Sequence, residues 1–120
     1  MGTTAVVYSE KFNKAVRVNS DGDPGFMSVA LARVVTKGLE ESFVEAIEFS
    51  MLAATDEQVE RFIGYSKQYG AENYVTIEGL GVAFKEPIEI GVSTIDGKPH
   101  FTQEEDYSYV IAADGSVREI

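Results

Sequence analysis

His100 carries the only imidazole in the chain and cysteine is absent, so general-base, thiol and thiolate-metal chemistry have little to work with. A Ser-His-Asp triad would have to recruit His100. No G-x-S-x-G nucleophile elbow accompanies it, and its place just after the Asp96-Gly97 turn is that of an exposed residue. Thr3, ahead of a valine-rich strand, has the setting of a threonine nucleophile activated by its own amine, but Met1 and Gly2 hold that amine in a peptide bond. Asn19, Asp21 and Asp23 alternate like the first ligands of a calcium loop, and the carboxylates of Asp21 and Asp23 could share one hard cation. The positions that loop reserves for glycine and a bidentate glutamate are Pro24 and Ala30, so a turn and a helix cap explain the aspartates better. Gly79-Leu80-Gly81 lacks the third glycine of a dinucleotide fingerprint, Phe84 standing in its place. These residues call for no metal and no cofactor, and the expectation is a non-enzymatic protein.

Acidic patterning is the more informative signal. The 120 residues hold 20 Asp+Glu against 10 Lys+Arg, a formal charge of −10, which disfavours direct binding to a phosphate backbone. Between Lys37 and Arg61 stand Glu40, Glu41, Glu45, Glu48, Asp56, Glu57 and Glu60 with no base among them. Like charges four apart on a helix cost roughly 0.2–0.5 kcal/mol per pair, so helix stability did not select them. On a wheel of about 100° per residue, Glu41, Glu45 and Glu48 cluster on one face with Leu52 among them and Phe49 at the edge. An apolar residue ringed by carboxylates suits docking on a basic partner. Glu104-Glu105-Asp106 forms a second anionic knot ahead of Tyr107. On a shared surface the two patches would imitate the phosphate spacing of nucleic acid.

The elements that must position these residues form one domain over residues 1–120, with no repeat and no low-complexity linker. The first twenty residues read as a β-hairpin around Ser9-Glu10-Lys11-Phe12-Asn13, with Val6, Tyr8, Ala15, Val16 and Val18 in strand-like runs. Asp23 caps a first helix, Met27, Leu31, Val34 and Val35 give it an apolar stripe, and Gly38 ends it. Leu39, Phe43, Ala46, Ile47, Met51 and Ala54 share a face and predict a second helix over 39–54, with Ile47 in the core and Leu52 on the solvent side. Thr55-Asp56-Glu57-Gln58 has the capping-box pattern of a third helix, closed by Gly70. Strands follow at 74–77, 88–95, 99–102, 107–112 and 117–120, with Asp96-Gly97 and Asp114-Gly115 as hairpin turns. The class is α+β: an N-terminal β-hairpin, three helices and a C-terminal antiparallel β-meander, the helices packed on one face of the sheet.

Met1-Gly2-Thr3, Arg17, Asp21-Gly22 and Pro24, with the late Asp106-Tyr107-Ser108-Tyr109-Val110-Ile111, resemble a group of uncharacterised phage and prophage proteins. Those proteins begin Met-Gly-Thr-Arg-Ser and carry Asp-Gly-Tyr-Pro before a helix; Thr4 and Asp23 here stand where that group has Arg and Tyr. The resemblance covers about a quarter of the chain and implies a phage-like origin and an α+β fold, with no activity attached. The expected function is a small acidic binding protein, a phage-type inhibitor or modulator of a host protein with a basic surface. It would act through Glu41, Glu45, Glu48, Phe49, Leu52, Glu104, Glu105 and Asp106. The N-terminus has no secretion signal and no apolar run reaches the ~20 residues of a membrane span, so the cytoplasm, the host's for a phage protein, is the expected location. Two alternatives stand beside this: a metal-binding protein or small enzyme using Asp21 and Asp23, and an assembly protein forming a homo-oligomer through an exposed strand edge.

Overall fold

Ala5-Val6-Val7-Tyr8 is a continuous apolar run, the pattern of a strand covered on both faces. The computed structural model, which describes residues 3–69, 73–102 and 105–120, places it accordingly. β1 (Ala5–Ser9) is buried at all five positions and pairs antiparallel with β2 (Lys14–Val18). The chain continues through α1 (Pro24–Thr36), α2 (Glu40–Ala46), β3 (Glu48–Leu52) and α3 (Asp56–Tyr69). Six strands follow: β4 (Tyr74–Ile77), β5 (Gly81–Phe84), β6 (Val92–Ile95), β7 (Lys98–Phe101), β8 (Tyr107–Ile111) and β9 (Val117–Glu119).

The α+β class holds, with a mixed sheet. Seven strands lie in the order β4-β5-β3-β2-β1-β8-β9, while β6 and β7 form a separate two-stranded sheet. The late strands pair antiparallel as three hairpins, β4–β5 at one end, β8–β9 at the other and β6–β7 apart. The pairings β1–β8 and β2–β3 are parallel, and the β2–β3 crossover carries α1 and α2. On one face of the sheet Val7, Val16 and Val18 meet Met27, Leu31 and Val34 of α1 and Phe43 of α2. On the other, Val6 and Ala15 pack with Ile90, and Val92 and Phe101 of the β6–β7 hairpin close over them.

Local signals act where the sequence puts them. Asp23 accepts from the Phe26 N–H, and Pro24 occupies the first turn of α1. At the far end Gly38 has φ 68°, Gly38 N donates to the Val35 carbonyl and Leu39 N to the Val34 carbonyl, a Schellman ending in which only glycine is unstrained. Thr55 Oγ1 accepts from Gln58 N, and the Gln58 side chain reaches back to Ala54 N, so the capping box of α3 forms one residue wide of its usual return. Asp96 and Gly97 both have positive φ, as a type I′ turn requires.

The second helix requires correction. α2 stops at Ala46, Ile47 takes φ 69°, and residues 48–52 are a strand. Left-handed backbone is costly for a β-branched residue. It is offset because β3 completes the sheet between β2 and β5, with Arg17 N donating to Ile47 O and Asn19 N to Phe49 O. A bulge between Phe49 and Met51 shifts the alternation by one, so Phe49 and Leu52, three residues apart, both enter the same core. Ile47 is only half-buried.

The loop before α1 is fastened to two neighbouring strands, at the start of β1 and on β8. Gly22 N donates to Thr3 O, and the Tyr109 hydroxyl donates to Gly22 O at 2.6 Å. A Cβ at Gly22 would stand 2.7 Å from the Thr4 carbonyl carbon, so only glycine admits this approach. Thr3, Gly22 and Tyr109, from three separate segments of the chain, thus meet at one point. Burial, aided by the negative charges of Glu119 and Asp23, pushes the Tyr109 phenol up to about 12. A group whose pKa is raised on folding stabilises the fold below its unfolded pKa, about 10 for tyrosine, and loses that contribution as pH rises through the folded value. Unfolding followed between pH 9 and 12 should therefore show an alkaline loss of stability that is smaller in Tyr109→Phe. An identical slope in the variant would assign the loss to other groups.

Candidate functional site

The residues expected to form one acidic docking face separate into two sets. Glu41 and Glu45 stand exposed on α2, whose Phe43 and Val44 fill the core. Glu48, Phe49 and Leu52 do not join them. Phe49 and Leu52 are 0% and 1% exposed, and the Phe49 ring stacks on Phe43 with centroids 5.4 Å apart. The apolar centre assigned to a docking helix is therefore interior, because residues 48–52 are a strand with both faces covered.

Glu48 is 4% exposed and faces the opposite side of the sheet from Phe49. One of its oxygens accepts from Asn19 Nδ2 at 2.9 Å and meets Arg17 Nη1 at 3.3 Å. The other accepts from the Ile88 N–H at 3.1 Å, which straps the 85–91 segment to the sheet. Arg17 also meets Glu105: Nε lies 2.8 Å from Oε1, an ionic contact in which the N–H is not aligned for a hydrogen bond. One guanidinium thus joins a carboxylate from each of the two acidic segments, both nearly buried. This Glu48–Arg17–Glu105 network escaped the sequence reading. Its signal was present as the strict apolar-polar alternation from Ile47 to Met51, which is a strand pattern.

Other acids are similarly committed. Asp106 is exposed, and its carboxylate accepts from Thr4 N at 3.1 Å. Asp56 binds Arg33 and Lys37, tying the start of α3 to α1; the Arg33 guanidinium, then the Lys37 ammonium, holds its carboxyl below the usual carboxylate range. Glu104 lies outside the described residues. Asp21 is exposed with φ 59°, and Asp23 spends its carboxylate on the α1 cap. Among the described residues no group of three or more His, Asp or Glu is disposed to hold a metal ion. His100 is exposed on β7, at the rim of a cleft between the β6–β7 hairpin and the β8–β9 end of the sheet.

No helix among the described residues is long and apolar enough to cross a membrane. Comparison of the chain with protein-family models, with curated proteins and with solved structures gave no match.

Proposed function

We propose that this chain is a non-enzymatic binding protein that docks on the basic surface of another protein, with Glu41 and Glu45 of α2 as the contact pair. One observation supports it above the others. Glu48, Asp56, Glu105, Asp106 and Asp23 are each engaged by a partner within the fold, whereas Glu41 and Glu45 are exposed, four residues apart, and paired with no cation among the described ion pairs. Their repulsion works against α2, and a cationic partner would relieve it. The phage-like motifs extend the reading to a modulator of a host protein in the host cytoplasm, occupying a groove that otherwise takes an anionic ligand such as nucleic acid.

The test is the double variant Glu41→Lys with Glu45→Lys. Both sites are exposed, so thermal stability should move by no more than about 0.5 kcal/mol per site. A host protein retained by the wild-type chain at low salt and released at high salt should no longer be retained. Undiminished retention would remove α2 as the docking surface.

A second reading has its own support. β4 is an uncharged edge strand, Tyr74-Val75-Thr76-Ile77, with Val75 41% exposed, and such an edge can pair with its own copy. Light scattering at rising concentration separates the two: a dimer abolished by Val75→Lys supports assembly, and a persistent monomer excludes it.

A further inference from the structure

β2 lies inside the sheet, yet only its second half has a neighbour on the β3 side. The parallel register joins Arg17 to Glu48 and Val18 to Phe49, and among the described residues no strand pairs with Lys14, Ala15 or Val16 on that side. Backbone groups of successive residues point to opposite edges of a strand. Arg17 N and Asn19 N both donate toward β3, to Ile47 O and Phe49 O, so Ala15 turns its own N–H and C=O the same way. Lys14 and Val16 serve the other edge, in register with Ser9 and Val7 of β1. Neither backbone group of Ala15 has a partner among the described hydrogen bonds, although the residue is only 7% exposed.

Ala15 lines a notch of about 340 Å³ beside this edge, at the low end of the roughly 300–1,000 Å³ usual for small-molecule sites. Val44 of α2 borders it from the helix face of the sheet, and Ile90 and Val92 from the opposite face. Ile47, the residue before β3, stands where the lane of β3 begins. Its φ of 69° is strained for a β-branched side chain, and strain of this kind gathers at ligand sites. A ligand here meets a donor and an acceptor side by side, with apolar walls on both sides of the sheet plane. A bare ion would satisfy one of the two backbone groups, and a hydrocarbon neither. An amino-acid residue in extended conformation satisfies both, because its N–H and C=O leave the same edge of the chain.

From this juxtaposition we infer that the notch binds one apolar residue of an extended peptide. That residue donates its N–H to Ala15 O and accepts the Ala15 N–H at its own C=O, as in a hydrogen-bonded antiparallel pair, and its side chain lies against the apolar walls. The site makes no use of the exposed acids of α2, so it stands or falls apart from that docking surface. Three probes, titrated separately into the full chain under amide NMR, test backbone and side chain apart. They are N-acetyl-L-leucinamide, N-acetylglycinamide, and the ester analogue in which oxygen replaces the leucine N–H. N-acetyl-L-leucinamide should shift the amides of Ala15, Ile47 and Ile90, with at least fivefold higher affinity than either of the other two. Ile47→Gly removes one wall while relieving the strained backbone, and it should weaken N-acetyl-L-leucinamide at least threefold in a chain that still folds. Ile95→Ala, which trims an exposed apolar side chain outside the notch, should leave binding unchanged. No shift at Ala15, shifts confined to the β4 edge, equal affinity for the glycine or ester probe, or an equal loss in Ile95→Ala would each overturn the assignment.

Discussion

Phe49→Ala should lower stability by about 3–5 kcal/mol, the usual cost of truncating a fully buried aromatic. The ring has no exposed surface, stacks on Phe43 and lies in the same cluster as Leu31, Val34 and Leu52, so the cavity left behind cannot fill with water without further loss. A domain of ordinary stability holds only about 5–15 kcal/mol in total, so the variant would sit near the threshold of folding. At roughly 4 °C per kcal/mol for a domain of this size, the melting temperature should fall by about 12–20 °C. Leu52→Ala, 1% exposed in the same core, should cost about 2–5 kcal/mol. The helical reading of 39–54 puts Leu52 on the solvent face, where the change would be within about 0.5 kcal/mol. Thermal melts of the two variants therefore decide between strand and helix at this segment. A Leu52→Ala protein that melts like the wild type would refute the strand.

Glu48→Ala should be the costliest change to a polar side chain, at about 3 kcal/mol, the low end for breaking a buried charge pair. Three groups lose their acceptor together: Arg17, Asn19 Nδ2 and the Ile88 N–H. Arg17 keeps Glu105 and has a side chain 21% exposed, which holds the cost at that lower end. The local consequence is more specific than the global one. Ile88 should lose protection against hydrogen exchange, and the 85–91 segment should loosen from the sheet. Glu48→Gln keeps an acceptor and should restore part of that protection. Unchanged exchange at Ile88 in Glu48→Ala would show that the carboxylate does not hold the segment.

The two effects share an origin in β3, the element that local pattern misassigned. Residues 46, 47, 51 and 54 satisfy a helical face, while 47–51 alternate with period two, so both templates fit the same letters. The helix template also carried the docking face, because it set Glu48, Phe49 and Leu52 beside Glu41 and Glu45. With the strand in place, Glu41 and Glu45 remain on the surface and the other three become structure. Glu105 moved in the same way, from the anionic knot of the expected docking surface to the partner of Arg17.

What the sequence determined by itself is what can be satisfied within a few residues. Asp23 and Pro24 start α1, Gly38 ends it, Thr55 and Gln58 cap α3, and Asp96-Gly97 turns the β6–β7 hairpin, each through backbone groups close along the chain. Apolar runs and alternation likewise established the first hairpin and the α+β class. Only the tertiary structure decided the fate of residues 47–52, because the hydrogen bonds that make them a strand come from Arg17 and Asn19, some thirty residues earlier, and from β5, some thirty later. It alone decided that β1 pairs parallel with β8 and that Glu48 and Glu105 converge on one guanidinium. Local propensity is nearly balanced at such places, and burial and long-range pairing, which depend on the whole chain having folded, tip the balance.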